Sequence, residues 1–173
     1  MYSVGELIIY GSTGVCAVSD IRQHVLEPGR PAQLCYVLCP LYQDYVIYTP
    51  VDNTKIFTRP IISRERAEAL IGMIPSMRAE AYHADGLRHL TEHYEAMLKT
   101  HDCADLIRLT MSIYAKKQFA EQQRRKFGAI DERFMKRAEE LLFGELAAAL
   151  DIERGEVPGY IDSRVKAEAE AAT

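Results

Sequence analysis

The sequence predicts an α+β protein: a small N-terminal β-barrel of the SH3 or Tudor kind, followed by an all-α helical domain of about five helices. Three observations predict it. The first sixty residues hold short runs rich in β-branched and aromatic residues, separated by Gly and Pro turns. After Pro60 the apolar residues fall at helical spacing and good helix caps begin. The chain has 173 residues, 48% hydrophobic and 27% charged, enough for a buried core and too apolar for wholesale disorder.

Each element has its own signal. Leu7–Tyr10 is a short apolar run, closed by the turn Gly11–Gly14. Val15–Val18 resumes the strand pattern, with Ile21 after it, and Glu27–Pro31 reads as a loop. Leu34–Leu38 and Tyr45–Thr49 are strands, closed by Pro40 and Pro50, and Ile56 and Phe57 make a last short strand. Ser63 is the N-cap of a helix over Arg64–Met73, with Glu65 complementing its dipole and Pro75 ending it. A second helix lies near 86–100. Asp102 caps a third, whose apolar positions are Leu106, Ile107, Leu109, Ile113 and Tyr114, and Gly128 breaks it near its end. Asp131 caps a fourth, striped by Phe134, Ala138, Leu141, Leu142 and Leu146. Glu156–Ala171 is a short fifth helix with a fraying alanine-glutamate end. The domains are 1–60 and 61–173, with a boundary near Thr58–Ser63.

Composition excludes several classes. The longest apolar runs are a few residues, far short of the ~20 that span a bilayer, and the N-terminus lacks the basic start and cleavage site of a signal peptide. Cys16, Cys35, Cys39 and Cys103 sit in apolar surroundings and read as small buried hydrophobes in a reducing cytoplasm. Cys35 and Cys39 share a strand face roughly 13 Å apart, too far for a disulfide. The net charge of −4 hides segregation. Residues 99–137 carry ten Lys/Arg against five Asp/Glu, and residues 138–173 carry three against nine. The basic side chains Lys116, Lys117, Arg124, Arg125, Lys126 and Arg133 flank one interhelical bend, where they suit phosphate contacts or pair with the acidic stretch. His89, Glu92 and His93 match H-x-x-E-H, which on a helix puts two imidazoles on one face for zinc, with a general base between. The pattern lacks a third ligand, so a metal-dependent hydrolase is the alternative reading and no metal or cofactor is expected. No phosphate-cradling glycine loop and no nucleophile elbow occur.

A resemblance covers nearly the whole chain. Val4–Tyr10, Gly14-Val15 and Val18 resemble the opening of the CarD/CdnL family of bacterial transcription regulators. His101–Arg108, Tyr114–Lys117 and Asp131–Leu146 resemble its helical domain, and Ala149–Ile152 with Val157–Ile161 resembles the end of some members. The resemblance implies a Tudor-like module, shared with the transcription-repair coupling factor, that binds the RNA polymerase β subunit. Residues Tyr45–Thr49 would be its edge strand, and Val46, Ile47, Tyr48 and His24 its contacts; His24 and Tyr48 stand where arginines are often used. The helical domain would contact promoter DNA without sequence reading, next to the melted bubble, using phosphate contacts and an aromatic wedge. The wedge is commonly Trp, and this chain has none. Its position falls at Tyr82 or at Leu90, with Arg88 beside it. The implied protein is a cytoplasmic, nucleoid-associated monomer without enzymatic activity. A polymerase-binding adaptor that lacks DNA activity is a further alternative.

Overall fold

The computed structural model describes all 173 residues. The chain forms two compact units, Met1–Ile61 and Ile62–Thr173. The first holds five strands: β1 (Leu7–Tyr10), β2 (Gly14–His24), β3 (Gln33–Pro40), β4 (Ile47–Pro50) and β5 (Thr58–Pro60). They form one antiparallel sheet in the order β4-β3-β2-β1-β5, so the expected barrel is a single sheet with β4 and β5 at its edges. Edge positions suit both strands, because each ends in a proline that cannot donate to a ladder.

One face of the sheet builds the core. Ile8 and Tyr10 of β1, Cys16 and Val18 of β2, and Tyr36 and Leu38 of β3 are buried together, at the two-residue period of a pleated strand. Tyr2, Ile21, Ile47 and Val51 pack against them. The register of β2 against β3 shifts between Val18 and Asp20. A residue is added to β2 there, and the Ser19 hydroxyl donates to the Val37 carbonyl at 3.0 Å. The β1–β2 turn runs through Gly11 and Gly14, both at positive φ. The last strand begins two residues later than the sequence suggests. The Gly11 amide donates to the Phe57 carbonyl, so Ile56 and Phe57 close a loop, and the Ile56 Cγ2 methyl packs where a Gly11 side chain would be.

The second unit holds α1 (Arg64–Met73), α2 (Leu87–Leu98), α3 (Cys103–Gln122), α4 (Ala129–Leu150) and α5 (Val157–Ala171), with 3-10 turns at Ile74–Ser76 and Arg154–Glu156. Ser63 caps α1 by accepting from the Arg66 amide, and Asp102 caps α3 by accepting from the Ala104 and Asp105 amides. Two expectations at the α3–α4 connection fail. Helix α3 ends at Gln122, well before Gly128, because Arg124 takes the left-handed conformation that usually belongs to glycine (φ 52°). Gly128 is instead the N-cap of α4, and Asp131 lies inside its first turn. One apolar cluster joins α1, α3, α4 and α5 around Leu70, Ile71, Leu106, Leu146 and Val157. Another joins α2, α3 and α4 around Leu90, Tyr94, Leu109, Ile113 and Phe134. At the edge of the first cluster, Glu68 accepts hydrogen bonds from Tyr160 and Arg164, tying α1 to α5.

Candidate functional site

The N-terminal unit presents a polar and aromatic cluster at its β4 edge. Beyond the added residue in β2, Arg22 and His24 lie on the face opposite the core, as does Tyr48, the register partner of Val37. His24 and Tyr48 stack with ring centroids 3.9 Å apart and planes 11° apart. The Arg22 guanidinium donates to the Tyr48 hydroxyl at 3.0 Å, with its Cζ 5.6 Å from the ring centroid. Val46 and Tyr45, which lead into β4, are 49% and 50% exposed. Ile47 lies on the other face, packed against the core, so its side chain is turned away from this cluster. The sequence thus indicates His24, Val46 and Tyr48 but misses Arg22. Only the cross-strand partner of a lone strand arginine, 26 residues away, reveals it.

In the helical unit, the residues flagged by the sequence separate into exposed and buried ones. Leu90 is 6% exposed inside the α2–α3–α4 core and cannot enter a ligand. Helix α2 starts after Gly86, at φ 104°, with no side-chain cap. The residue projecting there is Leu87, 70% exposed, one turn before Leu90. Arg88 beside it is open to solvent and pairs with Glu92 at 2.9 Å. Tyr82 is half-buried and stacks on His93, with centroids 3.6 Å apart and planes 13° apart.

Lys116 is also withdrawn from the surface. Its ammonium lies 3.0 Å from the Asp131 carboxylate, with side-chain exposures of 16% and 7%. The same Asp131 Oδ1 accepts from the buried Tyr94 hydroxyl at 2.6 Å. A cation that neutralises a buried carboxylate is unavailable to a phosphate, because separating them exposes an unpaired charge to a low-dielectric interior. Lys117 lies over the Phe127 ring at 6.0 Å and Arg133 over Phe134 at 5.0 Å. Arg124, Arg125, Lys126 and Arg133 are exposed, and the first three form the α3–α4 turn. The basic patch is therefore this turn with Lys117 and Arg133, without Lys116.

The H-x-x-E-H pattern does not assemble a metal centre. His89 Nδ1 lies 3.9 Å from Glu92. His93 is engaged by Tyr82, and burial holds its pKa below the ordinary value. No group of three or more His, Cys, Asp or Glu side chains has the geometry to hold a metal ion. No helix is long and apolar enough to cross a membrane.

No curated protein matches the chain. Residues 2–62 match the CarD-like/TRCF RID domain. These residues hold the whole five-stranded sheet and the Arg22–His24–Tyr48 cluster. The N-terminal unit is thus a CarD-like/TRCF RID domain, which supports membership of the chain in the CarD-like family.

Proposed function

We propose that this protein is a non-enzymatic transcription regulator. Its RID domain binds the RNA polymerase β subunit, and its helical unit contacts promoter DNA without reading sequence. The CarD-like/TRCF RID domain marks an RNA polymerase-interacting, transcription-related protein. The observation that carries the reading is the coincidence of that domain with an edge strand flanked by an exposed polar cluster. The edge of β4 offers backbone groups to a partner strand, and Arg22, His24 and Tyr48 supply side-chain specificity beside it. In the helical unit, Leu87 takes the role that the sequence assigns to Tyr82 or Leu90. It is a large apolar group at a helix start, flanked by the exposed Arg88. An apolar wedge of this kind enters a base step, while Lys117, Arg124, Arg125, Lys126 and Arg133 meet phosphates. Together these contacts would stabilise a distorted promoter.

Retention of core RNA polymerase on the immobilised full-length protein tests the reading. Retention by the wild type and its loss in the Arg22→Ala, Tyr48→Ala double variant are expected. Absence of retention by the wild type overturns it.

A further inference from the structure

The segment between the 3-10 turn at Ile74–Ser76 and α2 contributes one ring of a pair, His83 against Phe119 of α3, that the DNA-contacting surface described above does not use. The segment has no regular secondary structure, yet its side chains are held in place. The Ser112 hydroxyl of α3 donates to the Glu80 carbonyl at 2.7 Å. Tyr82 stacks on His93 of α2. His83, next in the chain, meets Phe119 of α3 edge to face, with centroids 5.7 Å apart and planes at 68°. His83 is exposed and Phe119 is 46% exposed. Two rings are thus presented to solvent on a fixed backbone.

The surroundings of Phe119 indicate an occupant. Its carbonyl accepts from the Gln123 amide, so the ring stands less than two turns of chain from Arg124, Arg125 and Lys126. It belongs to the stretch 99–137 that carries ten basic against five acidic residues. Two exposed rings that brace each other edge to face beside a cationic turn match one repeating chemistry, an aromatic base joined to a phosphate. Single-stranded nucleic acid is held by this combination of stacking platform and basic track. A duplex presents only the phosphate half of it, because its bases are already stacked.

We propose that His83 and Phe119 form a stacking platform for an unpaired DNA base whose adjoining phosphates lie on the Arg124–Lys126 turn. The proposal rests on the reading that the helical unit contacts DNA, and it names the form of DNA preferred: a melted strand over an intact duplex. Leu87 opens a base step in that reading, and the platform takes up a base that the opening exposes.

Fluorescence anisotropy of the full-length protein tests this against three labelled DNAs: an intact duplex, the same duplex with a mismatched bubble, and one of its single strands. The wild type is expected to bind the bubble and the single strand more tightly than the duplex. Phe119→Leu keeps an apolar side chain but removes the π-face. It should lose about tenfold of its affinity for bubble and single strand, with duplex affinity unchanged. His83→Ala should show a smaller loss in the same direction, and His83→Phe, which keeps a ring, should restore binding. Wild-type affinity of Phe119→Leu for all three DNAs overturns the platform and leaves the DNA reading standing. That outcome together with lost polymerase retention assigns the pair to a protein contact and also overturns the platform. No binding of any DNA by the wild type overturns both.

Discussion

At the residue scale, the decisive side chains are those whose partner is distant in sequence. Asp131 joins α2, α3 and α4 through Tyr94 and Lys116. Replacing it with Ala would leave a mostly buried ammonium and a buried hydroxyl without an acceptor. A loss of about 3–5 kcal/mol in the helical unit is expected, measured by urea unfolding. Tyr94→Phe removes one hydrogen bond and leaves the ion pair, so its cost should be about 1 kcal/mol. Burial, with the hydrogen bond and charge of Asp131, raises the Tyr94 pKa well above the ordinary 10.0. A raised folded-state pKa means that the folded state holds its proton more tightly than the unfolded chain. The resulting stability is complete below the unfolded pKa and falls as pH rises above about 10. Unfolding of the helical unit at pH 8, 10 and 11 should show this decline, and Tyr94→Phe should flatten it. Burial, with a smaller contribution from Cys39, likewise pushes the Cys16 thiol from 9.0 to about 11, so the RID domain loses stability through the same alkaline range. In the exposed cluster, Tyr48→Phe keeps the ring for His24 but loses the Arg22 hydrogen bond. Its polymerase retention should fall between those of the wild type and Tyr48→Ala.

At the element scale, legibility follows how local the determining physics is. Helix α1 is observed over the span set by its cap, because Ser63 and the proline at 75 act within their own turns. The end of α3 is hidden, because Arg124 adopts the left-handed conformation without being glycine, while Gly128 advertises a stop six residues after the real one. The choice between Tyr82 and Leu90 as the wedge has the same origin. Only packing against α3 and α4 covers Leu90, and leaves Leu87, three residues earlier, open to solvent. Lys116 reads as one more member of a basic run, since its carboxylate lies 15 residues further on. The β1–β2 turn gives a local prediction. Gly11 has φ 47°, and a Cβ there would sit 2.8 Å from the Ile56 methyl. Gly11→Ala combines backbone strain with a displaced side chain, and should cost the RID domain about 1–3 kcal/mol in thermal or urea unfolding.

At the scale of the whole molecule, charge is sorted along the chain. The net value of −4 suggests indifference to polyanions, but the exposed α3–α4 turn concentrates three cations. If each meets one phosphate, the plot of log affinity against log salt should lose about 0.9 of its slope per residue removed. The triple change of Arg124, Arg125 and Lys126 to Ala should therefore flatten the duplex-binding slope by roughly 3, read from anisotropy titrations at several salt concentrations. Lys116→Met should leave that slope unchanged, since its charge is already balanced by Asp131.

The extra residue in β2 has a consequence for the whole RID surface. Strand side chains alternate like a two-stroke cycle, and Ser19 inserts a half-cycle. Upstream of it, the even-numbered residues Cys16 and Val18 face the core; downstream, the odd-numbered Ile21 does. That phase slip is what turns Arg22 and His24 outward. A regular ladder that paired Ser19 in register would exchange the two faces of the strand's second half, turning Ile21 out to the side of Tyr48 and Arg22 in to the side of Tyr36. Deleting Ser19 would remove the extra half-cycle and the slip together: Asp20 would follow Val18 opposite Val37, and Arg22 and His24 would keep their outward side. The bulge thus lets the strand carry one residue more than its partner counts without moving the surface.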